Sequence, residues 1–356
     1  MQAFLFPALV AALLALSANA APASERLTGV DSFETEITVS DGAVLKATIT
    51  LPEGDASPRH PLLFAQWVSC GEIDFPEDSK SILAALARES GLALVRVERS
   101  ALRDGPDCSA LDFDTELEHY KDAFGALLEN EHLDASRLYF YGSSLGSNTA
   151  PLLAAAFARA GHSVAGVMVQ GGGGYTYLER MLEFERNYLE RQPGKFSPTE
   201  RHEQFLLRNR FHYEYLVNGR HPDEIASDGD DMRQVRGDIL GLAENDHYGR
   251  PFAWHQQLAR RNFLEAWAAV DAPVLVIFNE YDQFEARHGH RLIVDTVNRL
   301  RPGSATYVER QGIGHSNRRY RDIESAYAFA DGVPENRETA NIMLDWLDGI
   351  GVDTRP

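Results

Sequence analysis

The chain has 356 residues, and its 53 Asp and Glu outweigh 34 Lys and Arg to give a formal charge of −19 at neutral pH. Phosphate recognition needs clustered cations, so this balance excludes a nucleic-acid partner, and a charge of this size mainly keeps a chain soluble. The composition is that of a globular enzyme, neither repetitive nor low in complexity, and the length suffices for one sizeable core with an inserted subdomain.

Met1 to Ala20 carry no charged side chain, centre on the apolar run Leu9 to Leu16 and end in Ala18-Asn19-Ala20, a small-x-small cleavage pattern. Residues 1–20 therefore read as a signal peptide, although Lys and Arg are missing near Met1. Ala21 is the expected first mature residue of an exported protein, periplasmic or extracellular. A membrane anchor is the alternative, but Pro7 interrupts a run already short of the roughly 20 apolar residues a span needs. No later segment is apolar enough for stable membrane insertion. The two cysteines, Cys70 and Cys108, most simply form one disulfide in an exported chain. Closing that loop stabilises the fold by about 3–4 kcal/mol in the chain-entropy model.

Next along the chain, Phe33 to Val39 alternates in polarity, turns at Asp41-Gly42, and alternates again from Val44 to Leu51, which predicts an antiparallel hairpin. Continuous apolar runs at Pro61–Gln66 and Ala93–Val97 read as buried strands, with a helix expected over Ser79–Glu89 between them. A helix over Phe113–Glu129 presents Leu117, Tyr120, Phe124 and Leu127 on one face. Arg137 to Tyr141 is the next strand, Thr149–Ala160 a helix, and Val164–Val169 a strand. The rhythm stops at Gly171 to Gly174, and residues 175–262 show only helical patterns. One of these opens on the capping box Ser197-Pro198-Thr199-Glu200 and is expected to run through Leu216. The rhythm resumes with strands at Pro273–Phe278 and Ala305–Glu309, a helix over His288–Leu300 between them, and a final helix over Glu338–Leu347. This pattern predicts an α/β fold: a mostly parallel sheet with an N-terminal antiparallel hairpin and helices on both faces. The core spans 21–174 and 263–356, with 175–262 inserted as a helical cap. A helical extension packed on the surface is the plainer reading of that insertion.

The chemistry centres on Gly142-Ser143-Ser144-Leu145-Gly146, between a strand and a helix. Gly-x-Ser-x-Gly in that setting is the spacing of a nucleophile elbow, whose tight turn needs residues without Cβ on either side of the serine. A serine hydroxyl becomes nucleophilic only when a base takes its proton and a third group orients that base. Asp282 and His315 follow the last two strands, in the order Ser, Asp, His that an elbow predicts. Ser144 is the expected nucleophile, His315 the base and Asp282 the acid, with Glu280 as the alternative acid.

With these residues in place the chain resembles an α/β-hydrolase, of the capped kind typified by esterases and serine peptidases. The resemblance covers nearly the whole mature chain and is most specific at the elbow. It implies attack by Ser144 on a carbonyl, general base and then acid work by His315, and an acyl-enzyme. It also implies an oxyanion hole from the backbone N–H of Leu145 and one N–H of the loop after the Pro61–Gln66 strand. That loop reads Gln66-Trp67-Val68-Ser69-Cys70-Gly71, without the His-Gly many members carry, and its donor is Trp67 or Val68, with Val68 preferred. A Cys70–Cys108 bridge would tie it to the loop after Ala93–Val97.

The expected substrate is a small-molecule ester, or a short peptide cleaved by the same residues. A catalytically silent binding scaffold and acyl transfer to an acceptor other than water are the remaining alternatives. No cofactor or metal is implied: Gly171 to Gly174 lacks a phosphate-loop lysine, and Asp228-Gly229-Asp230-Asp231 lacks a calcium ligand ladder. His288 and His290 are expected at a solvated helix start. The aromatic residues Tyr175, Tyr177, Phe184, Tyr188, Phe211 and Tyr213 are expected mostly to pack, with a substrate pocket as their alternative use.

Overall fold

The computed structural model describes residues 27–54, 57–70, 82–99, 108–191 and 195–354. The expected signal peptide over 1–20, Ala21, Gly71 and the expected helix start at Ser79 lie outside the described residues. A hairpin of β1 (Val30–Thr38) and β2 (Val44–Pro52) opens the fold. Then β3 (Pro61–Ala65), α1 (Ile82–Glu89), β4 (Ala93–Val97), α2 (Phe113–Leu127), β5 (Leu138–Ser143), α3 (Gly146–Arg159) and β6 (Val164–Gln170) alternate. The eight-stranded sheet has the order β1-β2-β4-β3-β5-β6-β7-β8, with β7 at Val274–Asn279 and β8 at Ala305–Arg310. The pairs β1–β2 and β2–β4 are antiparallel and all others are parallel, so the expected α/β architecture is the observed one.

Strands β3, β4 and β7 are buried along their whole length, which is why they read as unbroken apolar runs. Their side chains still alternate. Leu63, Val95, Phe140, Val167 and Val276 face one core with α2 and α3, whereas Leu62, Leu94, Tyr139, Met168 and Leu275 face a second. That second core is closed by α1 and by α12 (Asn336–Gly349), through Leu86, Met343 and Leu347. Two helices follow the flanking strands: α10 (Arg287–Leu300) after β7, and the short α11 (Ile323–Tyr327) after β8.

Between β6 and β7 the described chain is helical: α4 (Tyr177–Glu190), α5 (Pro198–His212), α6 (Pro222–Ala226), α7 (Asp230–Asp238), α8 (Phe252–Ala259) and α9 (Phe263–Ala269). Ser197 and Glu200 form the expected capping box, and Thr176 with Glu179 forms another at the start of α4. The helix expected to reach Leu216 instead stops at His212. It widens into a π turn over Tyr213–Val217, where Asn218 N–H donates to the Tyr213 carbonyl, five residues back. α8 fixes this region to the sheet's helical layer: Trp254 stacks edge-on against Phe113 at 5.5 Å, and its Nε1–H donates to Glu116 of α2 at 3.1 Å.

Among the described residues no helix is long and apolar enough to cross a membrane. No group of three or more His, Cys, Asp or Glu there is arranged to hold a metal ion. His288 is exposed, but His290 is fully buried, a correction to the expected solvated pair. Its Nδ1 lies 3.0 Å from the Ala286 carbonyl and its ring packs on Phe278, so the helix start is anchored inward. Asp228 forms the expected turn and pairs with Arg220 at 2.8 Å.

Candidate active site

The elbow is built by close backbone approach. Ser144 has a φ of +52°, a left-handed conformation that costs a non-glycine residue on the order of 1–3 kcal/mol. A Cβ on Gly142 would come within 2.4 Å of the Gly146 carbonyl oxygen, and a Cβ on Gly146 within 2.1 Å of the Ala65 carbonyl oxygen. Both glycines are thus required by space, as the spacing predicts. Ser147, where a further glycine often stands, is buried and donates to the carbonyls of Gly142 at 2.9 Å and Gln170 at 3.0 Å. Two of the four glycines after β6 serve the same crowding: a Cβ on Gly172 would lie 2.7 Å from the Ser144 carbonyl oxygen, and one on Gly171 would lie 3.1 Å from His315, whereas Gly173 approaches Gly289 and Gly174 approaches Leu264 and Ile293.

Gly146→Ala is therefore expected to disturb the elbow and the loop after β3 together. A stability loss of about 1–3 kcal/mol is expected from overpacking. Gly125→Ala in α2, where an added Cβ meets nothing within 4 Å, is the matched control and should stabilise slightly. Denaturant midpoints of the two variants check both expectations.

The structure brings Ser144, His315 and Asp282 into one line. Ser144 Oγ lies 2.9 Å from His315 Nε2, and His315 Nδ1 lies 2.8 and 3.0 Å from the two carboxylate oxygens of Asp282. An ionised carboxylate only accepts, so Nδ1 carries the proton and Nε2 presents a lone pair to the serine hydroxyl. Burial opposes the Asp282 charge, but the charge and hydrogen bond of His315 and the Phe284 N–H outweigh it and lower its pKa. Burial likewise disfavours the His315 imidazolium, and Asp282 outweighs that too, so the His315 pKa is raised.

The loop carrying His315 is held by its backbone: His315 N–H donates to Gln283 Oε1 at 3.0 Å, and Asn279 donates to the Gly314 carbonyl at 2.9 Å. A two-residue ribbon of β9 (Arg318–Arg319) with β10 (Val333–Pro334) closes the same loop. Glu280 sits elsewhere; its carboxylate accepts from the Gly312 N–H at 2.9 Å.

Ser144 opens onto a cavity of about 520 Å³ whose wall is mainly apolar and aromatic, with Phe64, Trp67, Tyr141 and Phe284 prominent. Val68 and Leu145 line it beside the serine. Leu145 is the N-cap residue of α3 and has no side-chain cap, so the N-terminus of a helix opens at the elbow. Residues 175–262 contribute Arg180 and Tyr248 to the wall. Of the aromatic residues singled out from this region, Tyr177, Phe184 and Phe211 are buried in packing, and none lines the cavity; Tyr248 was missed. Cys70 and Cys108 are disulfide-bonded, with Cα atoms 5.7 Å apart.

The sheet order, the elbow after β5 and the helical insertion between β6 and β7 define an α/β-hydrolase fold. Solved structures share it. A carboxyl esterase of the mycorrhizal fungus Tuber melanosporum aligns with a TM-score of 0.55 and 14% identity over 93% of this chain and 89% of that one. A fungal esterase from Rhizomucor miehei aligns at 0.54 and 16% identity over 92% and 84%. A thermostable carboxyl esterase from Bacillus coagulans, in complex with glycerol, aligns at 0.53 and 15% identity over 90% and 98%. No family model and no curated protein matches the chain.

Proposed function

We propose that this protein is a serine hydrolase that cleaves a carboxylic ester through an acyl-enzyme. The observation that carries the reading is the hydrogen-bonded line from Ser144 through His315 to Asp282 at the mouth of an apolar cavity. Ser144 Oγ attacks the ester carbonyl carbon while its proton passes to His315 Nε2. The oxyanion that forms is received by the N–H groups of Leu145 and Val68. As the intermediate collapses, the carbon–oxygen bond to the alcohol breaks and His315 returns the proton to the leaving alkoxide. Water then attacks the acyl-enzyme by the same route, with His315 as base, and the acid is released with Ser144 restored. Asp282 stays ionised throughout and holds the imidazole in the productive tautomer.

Residues 175–262 act as a cap over this site, a role supported by the Arg180 and Tyr248 side chains in the cavity wall. The Ala18-Asn19-Ala20 pattern and the Cys70–Cys108 bridge support an exported protein.

The charges around the site favour an ester over an aminopeptide substrate. An α-ammonium group needs carboxylates to receive it, whereas among the described residues the cavity wall carries Arg180 and Arg318 and no carboxylate. Nitrophenyl esters of graded acyl length are expected to be turned over at least ~100-fold faster, in kcat/KM, than aminoacyl-anilides, a gap of about 2.7 kcal/mol in transition-state binding. Faster cleavage of an anilide would overturn the ester assignment and leave the peptidase in its place.

A further inference from the structure

The loop that follows β3 is gripped by charge from behind. Arg99 Nη1 donates to the Trp67 carbonyl at 2.6 Å and Arg99 Nη2 donates to the Ser69 carbonyl. Arg250 Nε donates to the Val68 carbonyl at 2.7 Å. Three consecutive carbonyls of one loop thus accept from two guanidinium groups. Glu116 of α2 joins the two cations, with Arg250 Nη2 2.7 Å and Arg99 Nη1 3.5 Å from its carboxylate oxygens. All three side chains are buried, at 3% exposure or less. The members come from distant places: Arg99 follows β4, Glu116 lies on α2, and Arg250 comes from the helical insertion.

We infer that Arg99, Glu116 and Arg250 form a positioning clamp that aims the Val68 N–H at the oxyanion. The inference rests on the serine-hydrolase reading. In a trans peptide the N–H points opposite to the C=O of the same unit, and no cis peptide occurs among the described residues. The Trp67 carbonyl and the Val68 N–H belong to one unit, so the bond from Arg99 to that carbonyl sets where the N–H points. Arg250 fixes the next unit in the same way, and the loop cannot rotate without breaking bonds to both arginines. The Gln66 N–H, which donates to the buried Tyr120 hydroxyl at 3.1 Å, anchors the loop's start.

The charge balance suits this task better than it suits stability. Two buried cations around one carboxylate are costly to desolvate, and replacing such a group by an apolar cluster of equal volume is often neutral or stabilising. What the cations add is polarisation: a guanidinium on a peptide carbonyl makes the N–H of that peptide a stronger donor to an oxyanion on its other side. The clamp also links the insertion to the chemistry, because Arg250 lies 5.1 Å over the Trp254 ring that fixes α8 to α2.

The test compares wild type with Arg250→Lys and, as a gentler variant, Glu116→Gln. Lysine keeps a charge for Glu116 but lacks the planar fork that serves Val68 and Glu116 together. The glutamine keeps an oxygen for Trp254 and Arg250 but loses the charge and turns an NH₂ group towards Arg99. In Arg250→Lys, kcat for a nitrophenyl ester is expected to fall about 10–100-fold with KM within about threefold, and in Glu116→Gln by a smaller factor in the same sense. The inhibition constant of a matched trifluoromethyl ketone, which forms a tetrahedral oxyanion on serine, should rise in step with the loss of kcat/KM. The affinity of the product alcohol, which forms none, should stay constant. A kcat that holds in both variants overturns the clamp, as does a fall in kcat with the trifluoromethyl ketone still bound as tightly. If wild type neither cleaves esters nor takes up a fluorophosphonate, the serine-hydrolase reading fails and the clamp falls with it.

Discussion

Ser144→Ala is expected to lower ester turnover on the order of a million-fold and to abolish covalent labelling by a fluorophosphonate. The hydroxyl's described partner is His315 Nε2, and without Oγ nothing at the elbow can form the acyl-enzyme. Fold stability should change little. Alanine keeps the Cβ, and the strain of the +52° backbone angle is present with either side chain. Ser143, one residue earlier, ends β5 and also lines the cavity, so it is the fair competitor for the role. Its place in the strand register opposite Gln170 sets its backbone in the sheet, whereas only Ser144 meets the imidazole. Labelling should therefore survive Ser143→Ala and vanish in Ser144→Ala, read by intact-protein mass after probe treatment. Label remaining on the Ser144→Ala protein would remove the nucleophile assignment.

The sheet was legible because its central strands are buried on both faces, its edge hairpin on one and its helices on one, which imposes apolar runs, alternation and helical stripes that composition alone does not. The elbow was legible because the geometry tolerates nothing larger than glycine at two positions. What escaped was structure made by pairing between distant polar residues. Arg99, Glu116 and Arg250 each look like surface charge when read locally, yet all three are buried. A signal did exist: Glu116 lies three residues after Phe113 and four before Tyr120, on the apolar stripe of α2, where an unpartnered carboxylate would be expensive. His290 escaped in the same way, its ring buried against Phe278 beside an exposed His288. The β9–β10 ribbon is two residues long on each side and leaves no alternation to detect. Tyr248 reaches the cavity from a non-helical turn with a φ of +54°, where helical spacing carries no information.

Asp282→Asn is expected to lower kcat/KM by on the order of 10⁴-fold, while Glu280→Gln stays within a few-fold of wild type. The cause is the direction in which the new amide must point. Asp282 Oδ1 accepts from the Phe284 N–H at 2.8 Å and the Glu285 N–H at 2.9 Å, so an asparagine would keep its oxygen there. Its NH₂ group would then replace Oδ2, which now lies 2.8 Å from His315 Nδ1. Facing a donor, Nδ1 must become the acceptor, and the ring proton moves to Nε2. That nitrogen then presents an N–H to Ser144 and cannot accept the serine's proton. Glutamine at 280 keeps an oxygen for the Gly312 N–H and changes nothing at the imidazole. The pH profile separates this account from simple loss of fold. Burial lowers the His315 pKa and Asp282 more than reverses it, leaving it above the ordinary 6.5. Wild-type kcat/KM should accordingly climb as pH rises through a midpoint above 6.5, where His315 loses its proton, and fall on the acid side. With asparagine the largest raising charge is gone and only Glu285 still opposes burial and Arg180, so the acid limb of the residual activity should move to lower pH than in wild type. A limb that stays in place in Asp282→Asn and shifts in Glu280→Gln would transfer the acid's role to Glu280.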